Sequence, residues 1–134
     1  MFPPFDNRGY LPPGIHRCTI DELAERFGHG SPERLVEMSE LREFFAWCRQ
    51  MGIGRALING SFTTSKVAPN DVDVVVLLGE DDPSLEKPRF DDDTRWPFLH
   101  IMVTPNEEAY QGWATVTFAS DRRNRPKGIV EVML

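Results

Sequence analysis

Hydrophobic and polar positions along the chain fall into short periodic segments. Thr19 with Glu22 three residues on forms a capping box and predicts a short helix over 20–27 that stops at Gly28. Ser31-Pro32 opens a second helix, with a hydroxyl at the cap and Pro in the first turn. Leu35, Met38, Leu41, Phe44, Phe45 and Cys48 then recur every three or four residues, which predicts a helix over 32–50 ending before Gly52. Glu33, Arg34, Glu37, Glu40, Arg42 and Arg49 read as its solvent side, and Phe44, Phe45 and Trp47 as core. Strands are predicted over 55–59 and 72–78, with a turn-rich connection over 60–69 between them. The run Val74-Val75-Val76-Leu77-Leu78 is apolar on both alternating faces, so this strand should be central and covered on both sides. A loop over 80–93 follows, then strands over 96–103, 113–119 and 129–133, with a turn at 121–128. Before all of these, Pro3-Pro4 and Pro12-Pro13-Gly14 make residues 1–14 an extended, Pro-rich arm, which Phe2, Phe5, Tyr10 and Leu11 can pin to the surface.

This order of elements fits one α+β domain over residues 1–134. At 134 residues, with 40% apolar and 10% aromatic side chains, the chain can bury a core without a disulfide or metal staple. Cys18 and Cys48 form no metal-binding pattern and read as reduced thiols. The N-terminal segment lacks the basic and apolar regions of a signal peptide, and the longest aliphatic run is far too short for a membrane span. A cytoplasmic location and no membrane partner are expected.

The net charge of −6 disfavours a protein held on nucleic acid by bulk charge. The charge is uneven. Seven acids (Glu80, Asp81, Asp82, Glu86, Asp91, Asp92, Asp93) against Lys87 and Arg89 give 80–93 a net of −5. That segment lacks the ligand order of a calcium loop and reads as a solvated loop. Arg122, Arg123, Arg125 and Lys127 against Asp121 give the turn at 121–128 a net of +3, a local patch for a polyanion or an acidic partner, away from any catalytic metal.

The segment that carries chemistry is Asn59-Gly60-Ser61, then Lys66, then Asp71-Val72-Asp73-Val74. Gly permits a tight turn and close approach of a ligand, and Ser adds a hydroxyl and an amide, together a cradle for phosphate. Residues i and i+2 of a strand share a face, so Asp71 and Asp73 converge on one side of an apolar strand. Two such carboxylates repel and desolvate poorly, and a divalent cation bound to phosphates compensates them.

Gly60-Ser61, nine intervening residues and Asp71-Val72-Asp73-Val74 resemble the motif of the polymerase-beta-like nucleotidyltransferases, and a helix before the Gly-Ser strand agrees. Leu11-Pro-Pro-Gly-Ile-His16 and Arg125-Pro-Lys-Gly-Ile-Val130 resemble the ends of a small bacterial branch of that superfamily. The resemblance implies a mixed sheet with helices packed on it and a nucleotide cleft beside Gly60 and Ser61. It implies Mg²⁺ on Asp71 and Asp73, the phosphates of a nucleoside triphosphate on Gly60, Ser61 and Lys66, and transfer of a nucleoside monophosphate to an acceptor hydroxyl. Active members usually carry a third carboxylate on a later strand. The segment 96–103 has no acid, and His100 stands about where one is expected, either as metal ligand or base or as a hydrogen-bond partner of Asp71 or Asp73. Asp91, Asp92 and Asp93 could serve only if their loop folds back.

The short chain leaves no room for a helical acceptor domain, so the acceptor is small, is an RNA or a protein, or is presented by a partner chain that completes the site. Small members of the superfamily often belong to toxin–antitoxin pairs. Two alternatives remain beside the enzyme: a degenerate nucleotidyltransferase fold acting as a binding or antitoxin-like protein, and an unrelated α/β domain with a structural Gly-Ser turn.

Overall fold

A computed structural model describes residues 2–77 and 95–134. The order is β1 (Gly14–Thr19), α1 (Ile20–Phe27), α2 (Pro32–Gln50), β2 (Arg55–Asn59), a 3₁₀ turn (Ser61–Thr63), β3 (Val72–Leu77), β4 (Leu99–Thr104), α3 (Glu107–Gly112) and β5 (Gly128–Met133). The strands form one mixed sheet in the order β1-β5-β2-β3-β4. β1 runs parallel to β5, and β3 parallel to β4. β2 is antiparallel to both of its neighbours, β5 and β3. The fold is α+β, with α1 and α2 on one face of the sheet and α3 on the other.

Alternation along the strands sets the two faces. Ala56, Ile58, Val72, Val74, Val76, Val130 and Val132 pack with Leu23, Phe27, Met38, Leu41, Phe44 and Phe45 from α1 and α2. Leu57, Val75 and Ile129 point the other way, onto Tyr110, Ala114 and Phe118. β3 is therefore covered on both faces, as its unbroken apolar run predicts. Leu78 and the acidic segment 80–93, with Asp91, Asp92 and Asp93, lie outside the described residues.

Both N-terminal helices start where their caps predict. Thr19 and Glu22 exchange the reciprocal bonds of a capping box, and the Ser31 side chain accepts from the Arg34 amide. The inward face of α2 carries Met38, Leu41, Phe44, Phe45 and Cys48 as predicted, and departs from the prediction at its first turns. Leu35 is 58% exposed, whereas Arg34, Glu37 and Glu40 are buried. Arg34 is drawn in by unpaired carbonyls of the loop beneath it, and Glu40 by the Phe98 amide, which donates to it at 3.0 Å.

The other departures are in the strands. β4 begins at Leu99; Trp96 is buried against Phe44 ahead of it. The segment 113–119 is not a strand. Asn106 caps α3 by accepting from the Ala109 amide, and Trp113–Thr117 widens the same helix into a π turn, with the Phe118 amide donating to the Trp113 carbonyl. Ala114, Phe118 and Trp113 of that segment pack on the sheet, while Thr115, Val116 and Thr117 are exposed. β1, which the pattern left within and just after the arm, pairs along its whole length with β5. The arm itself is extended, with Phe2 and Phe5 against Phe27 and Leu11 in the core.

Candidate functional site

Strand register places the chemical residues at one end of the sheet. Asn59 of β2 pairs with Asp73 of β3, which pairs with His100 of β4, so the three form a row across adjacent strands. β2 ends there, and β3, β4 and β5 begin there. Asp73 has the parity of Val75, so this row lies on the α3 face of the sheet. Leu99, Ile101 and Val103 pack into the opposite core, which turns His100 to the same side as Asp73.

The contacts match this placement. His100 Nδ1 lies 3.3 Å from Asp73 Oδ1. Gly60 has φ +85°, a left-handed conformation that favours glycine, and a Cβ built on it would lie 3.1 Å from Asp73 Oδ2. The Gly-Ser turn thus rests directly on the carboxylate. Ser61 follows as the first residue of the 3₁₀ turn, and its hydroxyl has no hydrogen-bond partner among the described residues. Asp71 is exposed just ahead of β3.

Burial pushes the Asp73 carboxyl above its ordinary pKa, and the charge of Asp71 adds to this; His100 and Lys127 act against it. Lys127, the residue before β5, was read with the basic turn as remote from the site, but the structure makes it an electrostatic neighbour of Asp73. Burial lowers its own pKa, and Asp73 partly restores it. The rest of the turn is engaged elsewhere: Arg125 Nε donates to Asp121 at 2.8 Å, and Tyr10 OH reaches the same carboxylate at 3.0 Å. Of the four cations, Arg122 and Arg123 are exposed.

Lys66 is exposed and lines a cavity of about 250 Å³ with Phe5, Arg26 and His29, next to α1. Its carbonyl, with those of Phe27, Phe62 and Thr64, accepts from the guanidinium of Arg34 at 2.6–3.1 Å. Arg34 therefore fastens the loop after Ser61 to α2, a role that its charged neighbours in sequence concealed.

Two further polar groups are buried to which the sequence reading assigned no role in the site. Asn59 is 5% exposed, and its Oδ1 has no partner among the described residues. Glu37 is 1% exposed with Oε1 likewise unpartnered. Burial raises the Glu37 pKa to about 7; Arg34 opposes the rise, and Asp71, Glu33 and Glu40 add to it. A signal for Asn59 was present in the sequence, since it ends an apolar strand directly before Gly60.

The donor set suits a hard cation of one kind. Asp71, Asp73 and the unpartnered Asn59 Oδ1 are all oxygen donors, the ligand type of Mg²⁺. Among the described residues, no three His, Cys, Asp or Glu side chains gather closely enough to hold a metal by themselves. Mg²⁺ commonly takes one or two carboxylates and completes its shell with substrate phosphates and water. The residues present fit an ion that arrives with a polyphosphate.

No described helix is long and apolar enough to cross a membrane. Neither a curated protein nor a solved structure gives a significant match to the chain. A family model described as a family of unknown function matches residues 3–133. The chain thus belongs, over nearly its whole length, to that family, DUF6932.

Proposed function

We propose that the chain is a minimal nucleotidyltransferase that moves a nucleoside monophosphate from a nucleoside triphosphate to an acceptor hydroxyl. The observation that carries this reading is the stacking of the Gly60-Ser61 turn on Asp73, at a sheet end that also presents Asp71 and His100. The helix–strand–turn–strand order of α2, β2, Gly60-Ser61 and β3 supports the resemblance to polymerase-beta-like nucleotidyltransferases.

In this reading the amides of Gly60 and Ser61 and the Ser61 hydroxyl bind the terminal phosphates. Asp71 and Asp73 would hold Mg²⁺, which when bound supplies charge neutralisation of the triphosphate. His100 turns Nδ1 toward Asp73, at 3.3 Å from Oδ1, and in its neutral form Nε2 can take the acceptor proton. The acceptor oxygen bonds to the α-phosphorus, the bond to the bridging oxygen of the β-phosphate breaks, and pyrophosphate leaves. The acceptor is a small molecule, an RNA or a protein, and a partner chain of the toxin–antitoxin kind is one source of it.

Calorimetry with ATP, CTP, GTP and UTP, each with and without Mg²⁺, tests the proposal. Metal-dependent binding of at least one nucleotide, followed by pyrophosphate release when an acceptor is supplied, is expected. No binding of any of the four in Mg²⁺ overturns it.

One observation favours a second reading. The imidazole of His100 already engages Asp73, and no third carboxylate joins the pair among the described residues. A degenerate fold that binds a partner without turnover accounts for both. It predicts that His100→Asp strengthens Mg²⁺ binding.

A further inference from the structure

Lys127 enters the site from the strand next to the Gly-Ser turn. β5 pairs antiparallel with β2, so the start of β5 lies beside the end of β2, where Gly60 and Ser61 follow. Continuing the alternation back from Ile129 and Glu131 puts Lys127 on the α3 face, the face of Asn59, Asp73 and His100. Its backbone is fixed on both sides. The Lys127 amide donates to the Ala119 carbonyl at 3.0 Å, and the Gly128 amide to the Leu11 carbonyl at 2.9 Å. A Cβ at Gly128 would come within 2.2 Å of the Pro12 carbonyl oxygen, so this backbone has no room to move toward the arm.

The side chain is half-buried, yet no carboxylate lies within ion-pair distance of its ammonium among the described residues. Asp73 is near enough to influence its charge without closing a salt bridge. The neighbouring cation of the same turn, Arg125, is engaged by Asp121. A compact ammonium with open donors, held at the rim of a phosphate cradle, matches an anionic oxygen of a ligand.

We infer that Lys127 contacts the polyphosphate tail of the bound nucleotide, in the role that chain order suggests for Lys66. The inference rests on the nucleotide reading given above. It makes the site one that senses how many phosphates its ligand carries, since the Lys127 contact is available to a tail and is largely lost to a single α-phosphate.

Calorimetry of the full chain with ATP and AMP in Mg²⁺, on the wild type, Lys127→Met and Lys127→Arg, tests it. The wild type should bind ATP at least tenfold more tightly than AMP. Lys127→Met should weaken ATP binding about tenfold and change AMP binding less than twofold, while Lys127→Arg stays within about threefold of wild type for ATP. Wild-type affinity for ATP in Lys127→Met, or equal loss of ATP and AMP, overturns the role of Lys127 and leaves the nucleotide reading standing. Equal wild-type affinity for ATP and AMP overturns it without any variant, so a variant that fails to fold does not rescue it. A wild type that binds none of ATP, CTP, GTP and UTP removes both proposals, and where the bound base is not adenine the same comparison is made with that base's tri- and monophosphate.

Discussion

His100 and Asp73 face each other across parallel strands, with Nδ1 of one 3.3 Å from Oδ1 of the other. The pairing links His100 to the more buried of the two acids, Asp71 being exposed. The nitrogen turned to Asp73 is Nδ1, so Nε2 is the one directed away from that carboxylate.

The pair gives opposite outcomes for the two functional readings. If His100 Nε2 accepts the acceptor proton, His100→Ala lowers turnover about 100-fold or more and leaves the melting temperature within a few degrees. If His100 blocks a degenerate site, His100→Asp raises Mg²⁺ affinity measured by titration, and no pyrophosphate is released by either form. A variant series in which neither substitution changes metal binding or turnover removes His100 from the site.

Asp73 should be costly to the apo fold. Its pKa is raised on folding, so the folded state holds the proton more tightly than the unfolded chain does, and stability falls as pH rises through the folded value. Asp73→Asn stays neutral. It should match the wild type in acid, equal or exceed it at pH 7 in thermal denaturation, and lose Mg²⁺-dependent nucleotide binding by at least tenfold. A large loss of stability at pH 7 instead would mark the carboxylate as a structural acceptor.

Glu37 gives a separate pH signature. Its folded pKa is about 7 against an ordinary 4.5, so the penalty of ionising it grows between these values and is complete above the higher one. Glu37→Gln should match wild type near pH 4 and exceed it by roughly 2–3 kcal/mol near pH 8 in urea unfolding. A stability difference that is flat with pH would show that Glu37 titrates normally.

Arg34→Met removes a donor from the carbonyls of Phe27, Phe62, Thr64 and Lys66 together. The expected loss is roughly 2–4 kcal/mol in chemical denaturation, with faster amide exchange at Thr63 and Thr64. Arg34→Lys should recover little, because one ammonium cannot span the separated carbonyls that a planar guanidinium reaches. Full rescue by Lys would show that charge alone, and not the fork, holds the loop.

Local chemistry was legible wherever a cap or a turn announces itself. Thr19, Ser31 and the Gly60-Ser61 step mark α1, α2 and the end of β2, and the structure places each there. Asn106 with Glu107 and Glu108 carried the same kind of signal for α3, but the aromatic and β-branched run that follows outweighed it. β1 was illegible for a different reason: its partner lies at the other end of the sequence, and a six-residue edge strand has little pattern of its own. The direction of Arg34 and Glu37 was hidden because helical periodicity ranks residues by apolar character, whereas a charged side chain turns inward when loop carbonyls or a neighbouring strand meet it there. Lys127 joined the site through sheet order, which no local pattern encodes.

The pairing of β1 with β5 joins residues 14–19 to residues 128–133. β5 is also the strand that connects β1 to the rest of the sheet. A growing chain can form α1, α2 and the β2–β3 pair from nearby residues, but β1 has no place in the sheet until β5 has been synthesised. Closing so long a loop is entropically unfavourable and makes such contacts late and slow. Lys127 arrives with the same strand, so the end of the sheet that carries Asp73 and His100 is among the last parts to assemble. A nascent chain stalled before residue 128 would expose the β2 edge that β5 covers, with Ala56, Leu57 and Ile58 on it, and that edge is the stage at which the protein most needs protection from aggregation.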